Sequence, residues 1–270
     1  MKRFYLSLLV ASLLGALLAR WPSFSGWRVT TDEAIYAVQS QAWRQGVLPY
    51  RDLWDNKPPG ILCLFAIFCH DKLGGLVGVR LVGTLCVFLT WILVYHLAVQ
   101  SFDSYVALWA TILYAFLSMR LFGVETTMTI NTEIPQILFF TASMFLLLRA
   151  HRKSGCARVN LVAAGFMLGI AAQFRQAALV TAAPPLLYAF ILFLRTSAWQ
   201  MVGVFLLGFT GSLLPLIFWC LHHGIIRDFF WCTWAYPKEI RLPFFYKGLK
   251  VWGAFIGRHL PLVVLTGWTL

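Results

Sequence analysis

Long apolar runs separated by short clusters of charge repeat along almost the whole chain. Seven of them, at residues 4–19, 76–99, 104–118, 134–148, 159–174, 177–194 and 201–221, are read as membrane-crossing helices, and 251–270 forms an eighth. About 18 apolar residues in a helix cross a hydrocarbon core of roughly 30 Å, and within lipid a helix satisfies its own backbone groups. The pattern predicts an all-α, polytopic bundle of about eight spans. It forms one transmembrane domain over residues 1–270, with no soluble C-terminal domain.

One apolar segment breaks the rhythm. Gly60–Phe68 stops at His70, Asp71 and Lys72 and is short for a span. If it does not cross and Lys2 and Arg3 are cytoplasmic, the basic loop with Arg149, Arg152, Lys153 and Arg158 is cytoplasmic too, as the positive-inside rule prefers. It is therefore read as an interfacial or re-entrant helix inside a long first outer loop, residues 20–75. The same topology puts 120–132, the Arg175-Gln176 turn and 222–250 on the outer face. Most lysines and arginines then lie outside and require partners there.

Composition agrees with the pattern: 60% of residues are hydrophobic and 12% charged, outside the usual range of soluble domains. The net charge of +12 comes without any basic, aromatic-interleaved soluble module, which favours anionic lipid over nucleic acid as the partner. The apolar run after Lys2 and Arg3 is similar to a signal peptide, but no small-x-small site precedes Trp21, so a retained first helix is expected. The six cysteines show no CxxC pair and suggest neither a metal cage nor a disulfide framework.

The candidate chemistry lies in the loops. Thr30-x-x-Glu33 has capping-box spacing and opens an amphipathic segment with Ile35, Val38 and Ala42 on one face. With Thr30 as the cap, Asp32 and Glu33 sit in the first turn, about 100° apart, and cannot do the same job. Both could simply cap a surface helix. The run from Pro49 to Gly60 ends in two prolines that hold Lys57 at a rigid entry point, placed to meet a lipid phosphate or to act as an interfacial anchor beside Trp54. Arg175 stands between two apolar spans, where an arginine implies a functional partner unless it snorkels. His222 and Glu133 lie at outer boundaries. There the ordinary readings are a polar edge for the histidine and a helix start for Glu133, two positions before Pro135.

Asp32-Glu33-x-x-Tyr36, followed by Pro49-Tyr50-Arg51-Asp52 and Lys57-Pro58-Pro59-Gly60, resembles the first outer loop of GT-C membrane glycosyltransferases. The similar families are the dolichyl-phosphate-mannose protein mannosyltransferases and the bacterial lipid A aminoarabinose transferases. Looser similarity continues through Asn131 to Pro135, Gly165 to Gln176 and Gly224 to Tyr236. Such enzymes usually have further helices and often a soluble C-terminal domain. This sequence ends within apolar residues, as a truncated member would.

The resemblance implies inverting transfer of a sugar from a polyprenyl-phosphate donor to a lipid, glycan or protein hydroxyl. It also implies an active site on the outer face of a bacterial inner membrane, with the ER membrane as the alternative. Asp32 matches the catalytic carboxylate by motif position, with Glu33 beside it, and Lys57 and Arg175 are the candidate cations for the departing phosphate, although the family often has lysine where this chain has Phe174-Arg175-Gln176. Some relatives hold a divalent metal through an acidic residue just before the lysine; here that position is Asn56, with Asp55 one earlier. Asp55, Glu133 and His222 are thus candidate metal or substrate contacts, and the metal itself stays open. A transporter or flippase of lipid-linked saccharides is the rival reading, but it should show mid-span ionisable residues or a pseudo-symmetric repeat. A non-catalytic subunit of the same fold is the other alternative.

Overall fold

The computed structural model describes residues 2–25, 29–69, 75–118, 129–152, 156–193 and 198–236. Helix α1 (Lys2–Arg20) runs into a 3₁₀ turn at Trp21–Ser25. Then follow α2 (Thr31–Arg44), α3 (Gly60–Phe68), α4 (Leu76–Ser101), α5 (Ser104–Leu117), α6 (Glu133–Arg152) and α7 (Ala157–Phe174). After these come α8 (Ala177–Phe193), α9 (Ala198–His222) and α10 (Ile226–Phe230), with a π turn at Trp231–Ala235. No strand occurs among the described residues, only an isolated bridge between Pro49 and Leu53.

Each of the first seven apolar runs coincides with a helix over its described residues, to within a residue at the end, and 251–270 lies outside the described residues. Among the described residues, five stretches are long and apolar enough to cross a membrane: Ser7–Phe24, Leu76–Ser101, Glu133–Arg152, Ala157–Phe174 and Gln200–His222. Helix α5 has 14 residues, or about 21 Å at the helical rise, and α8 has 17. The chain is an all-α integral membrane protein.

Helix α7 is the central one, packed on both α6 and α9, while α4 packs on α5 and α6 and α1 lies against α5. The α7–α9 contact depends on small residues, as helix pairs in lipid commonly do. A Cβ on Gly165 would lie 2.0 Å from the Phe205 carbonyl oxygen, and one on Gly208 would lie 2.0 Å from that of Val162. On its other side α9 exposes Leu207, Leu214 and Phe218, an apolar face suited to lipid.

Helix α3 has nine residues, about 13 Å, against a hydrocarbon core of roughly 30 Å. Its start touches the end of α7, where a Cβ on Gly60 would fall 2.6 Å from the Gln173 carbonyl oxygen. Its last carbonyls, Ala66 and Cys69, accept from Arg44 Nη1 at 3.2 and 2.8 Å, a cation at the negative end of the helix dipole. Ile61, Leu62 and Phe65 pack with Tyr36 of α2, Val79 of α4, Ile130 and Phe174 in one core. Arg80, the fifth residue of α4, is bonded to Glu33 of α2, so α4 starts at the same end of the bundle as α2. Helix α3 and the first turns of α4 thus both pack against α2, and at nine residues α3 is too short to span the hydrocarbon core.

Candidate active site

The site begins with the cap of α2. Thr30 is extended (φ −77°, ψ 157°), and its hydroxyl accepts from the Glu33 N–H at 3.4 Å. The first turn then separates the two acids. Asp32 is exposed, whereas Glu33 is fully buried. Glu33 Oε1 accepts from Arg80 Nε at 2.8 Å and Oε2 from Arg80 Nη2 at 2.5 Å, a bidentate pair inside the bundle. The Ile130 N–H adds a third donor at 3.4 Å, and Arg80 Nη1 also donates to the Ser23 carbonyl. The Glu33 side chain thus turns inward to Arg80, making a buried ion pair whose oxygens are satisfied on both sides.

One and two turns after Asp32, on the same face of α2, come Tyr36 and Gln39. Gln39 Nε2 donates to the Trp54 carbonyl at 3.0 Å, and Lys57 Nζ donates to the Tyr36 hydroxyl at 3.0 Å. The segment 54–57 therefore lies antiparallel along this face. Lys57 Nζ also stands 5.5 Å from the centre of the Tyr36 ring. Burial raises the Tyr36 phenol; Asp32 and Asp55 add to the rise and Arg175 opposes it. The phenol stays protonated near neutrality.

Asp55 lies between Trp54 and Lys57. Its Oδ1 accepts the Lys57 N–H at 2.8 Å, while Oδ2 is buried without a hydrogen-bond partner among the described residues. Burial pushes its carboxyl above the ordinary range, against the Lys57 N–H and ammonium, and nearby Asp32 pushes the same way as burial. Two side chains hold the backbone here: the Tyr50 hydroxyl donates to the Lys57 carbonyl at 2.9 Å, and Gln176 Nε2 donates to the Asn56 carbonyl at 2.8 Å.

Arg175 caps α7 in an extended conformation (φ −157°, ψ 129°) and forms an ion pair with Glu133, the first residue of α6. Both are about two-fifths exposed, at 36% and 41%. The Gly60–Gln173 contact sets the start of α3, three residues after Lys57, beside the end of α7, one residue before Arg175. The two cations expected from the sequence thus share one end of the bundle with Asp32.

The remaining candidates sit differently. His222 ends α9 and stacks on Phe218 with centroids 6.3 Å apart, next to His223 at 5.0 Å. Among the described residues no group of three or more His, Cys, Asp or Glu is placed to hold a metal ion. The one unpaired carboxylate oxygen of Asp55 fits only a cation that takes most of its ligands from substrate phosphate and water.

Sequence reasoning assigned no role to Tyr36, Tyr50, Arg80 or Gln176. For Arg80 a signal was present, since an arginine five residues inside an apolar span demands a buried partner.

A helical membrane bundle with a carboxylate and two cations gathered at one end matches the class of GT-C membrane glycosyltransferases. The family sequence model described as dolichyl-phosphate-mannose-protein mannosyltransferase matches residues 56–220, and the chain belongs to that family. The matched segment contains Lys57, Arg80, Glu133 and Arg175, while Asp32 and Glu33 precede it. No curated protein and no solved structure gives a match.

Proposed function

We propose that this glycosyltransferase moves a sugar from a polyprenyl-phosphate donor to an acceptor hydroxyl at the outer, periplasmic or lumenal, face, with inversion at the anomeric carbon. The observation that carries the reading is the hydrogen bond holding the Lys57 ammonium to Tyr36, one turn after the exposed Asp32 on the same face of α2, with the Gly60–Gln173 contact setting this segment beside the end of α7 and Arg175.

Asp32, exposed in the first turn of α2, is the base. It takes the proton of the acceptor hydroxyl as that oxygen attacks the anomeric carbon. The bond to the lipid phosphate breaks on the opposite side, which gives inversion. Lys57 and Arg175 take up the negative charge that collects on the departing phosphate, in a site whose protein walls strengthen the interaction. Tyr36 holds the Lys57 ammonium in place and can donate its own O–H to the same phosphate. Glu33 is the structural member of the acidic pair, because Arg80 and Ile130 occupy its oxygens. A divalent cation bound to Asp55 and the donor phosphate would add to the neutralisation of the leaving group. The bacterial inner membrane is the proposed setting.

The test is transfer from polyprenyl-phosphate sugars to extracted acceptors by the purified protein. Asp32→Asn is expected to slow transfer by about 10²–10⁴-fold, and Lys57→Ala by about 10²–10³-fold. Undiminished transfer in either variant refutes the assigned role.

A further inference from the structure

Two neighbouring carbonyls, those of Asn56 and Lys57, each accept a side-chain hydrogen bond from a residue anchored on one distant segment, the α10 helix and its π turn. Tyr50 reaches the Lys57 carbonyl at 2.9 Å; its ring meets Phe229 edge to face with centroids 5.2 Å apart, and its own carbonyl accepts from Cys232 Sγ at 3.6 Å. Gln176 uses both protons of one amide nitrogen, giving one to the Asn56 carbonyl and one to the Thr233 carbonyl, each at 2.8 Å. Gln176 is also the residue next to Arg175.

Tyr50 carries a second mark. Among the described residues it is the one non-glycine with positive φ, at 72°, and it is only 4% exposed. A side chain with a Cβ is disfavoured in that conformation, which persists where surrounding contacts over-determine it and which gathers at functional sites. Here the contacts are on both sides. The Tyr50 N–H donates to Leu53 at 2.7 Å, and its ring is enclosed by Cys220, Ile225, Phe229 and Cys232.

We propose that Tyr50 and Gln176 are positioning residues for the donor phosphate. They fix the Asn56–Lys57 backbone against the α10 segment, and so set the place of the Lys57 ammonium relative to the Arg175 guanidinium. A lysine ammonium sits on a flexible four-carbon stem, so it binds a phosphate well only if its backbone and its tip are both held. Tyr36 holds the tip, and Tyr50 and Gln176 hold the backbone. Gln176 also ties the Lys57 segment to the chain position adjoining Arg175, which makes the spacing of the two cations a property of one hydrogen-bonded unit. The inference rests on the reading of Lys57 as a phosphate ligand.

The experiment measures binding of undecaprenyl phosphate and of dolichyl phosphate to the purified chain in nanodiscs. Tyr50→Phe keeps the ring on Phe229, and Gln176→Met keeps the length of the side chain; each removes its hydrogen bond to the 56–57 backbone. Each is expected to weaken binding about 3–10-fold in the wild-type background. In a Lys57→Ala background each should weaken it less than about twofold further, because the effect passes through Lys57. Unchanged binding in both single variants, with Lys57→Ala still defective, overturns the positioning role and leaves the functional reading standing. Equal losses in both backgrounds also overturn it, since they mark a general loss of structure. Full binding by Lys57→Ala overturns the reading of Lys57 and the inference with it.

Discussion

Glu33 Oε2 lies 2.5 Å from Arg80 Nη2, with 0% and 1% of the two side chains exposed, one residue along the chain from the exposed Asp32. Adjacent acids on one helix turn thus have opposite surroundings. Glu33 ties α2 to α4 and to Ile130, and this fastening fixes the turn from which Asp32 projects.

Removing one member of that pair leaves the other charge buried and uncompensated, a loss of about 3–5 kcal/mol. Glu33→Ala should therefore melt at a clearly lower temperature in detergent, and combining it with Arg80→Met should recover much of the loss. Asp32→Asn, by contrast, should melt like the wild type. Thermal unfolding of the three variants checks this.

Gly60 is the contact that places the Lys57 segment beside Arg175. A methyl group at this position meets the Gln173 carbonyl at 2.6 Å, and the obstacle is backbone. Gly60→Ala should cost about 1–3 kcal/mol by overpacking. It should also weaken polyprenyl-phosphate binding by pushing the two cations apart, which a binding isotherm on the folded fraction reads directly.

Asp55 gives stability a pH dependence. Burial raises its carboxyl from the ordinary 3.8, so the folded chain holds that proton more tightly than the unfolded chain. Its contribution is then most favourable in acid and is lost as pH rises from about the ordinary value through the raised one. Asp55→Asn keeps the acceptor for the Lys57 N–H and removes the ionisation. It should melt higher than wild type at neutral pH, with the difference shrinking toward pH 4, in melting curves taken across that range.

The Glu133–Arg175 pair is about two-fifths exposed, so in itself it adds little to stability, on the order of 0–1 kcal/mol. Its larger effect is on the site, where Glu133 offsets the charge of Arg175. Glu133→Gln should bind polyprenyl phosphate about 2–5-fold more tightly, with little change in melting temperature. Titration with polyprenyl phosphate at low and high salt measures this.

Much of the fold was legible in the sequence because lipid imposes a simple rule: apolar runs of sufficient length become helices. The Thr30 cap, the short α3 and the two-proline entry at Lys57 were legible for local reasons, since capping chemistry, segment length and proline geometry act within a few residues. Pairings were not legible. Glu33 meets Arg80 across 47 positions and Gln176 meets Asn56 across 120, and such contacts follow from which helix faces pack together. Periodicity puts Ile35, Val38 and Ala42 on one apolar face of α2, but Ile35 and Val38 are exposed and the face buried in the protein carries Glu33, Tyr36 and Ser40, so Tyr36 was legible neither as buried nor as the partner of Lys57. The same limit applies to Arg175, whose partner Glu133 became visible only once α6 and α7 were side by side.

The central claim is that Asp32 performs the transfer step while Lys57 binds the phosphate. The most direct test measures polyprenyl-phosphate binding and single-turnover sugar transfer on the same preparations of Asp32→Asn and Lys57→Ala. The account predicts wild-type binding with transfer slowed by about 10²-fold or more for Asp32→Asn, and impaired binding for Lys57→Ala. Wild-type transfer by Asp32→Asn, or wild-type binding by Lys57→Ala, contradicts it.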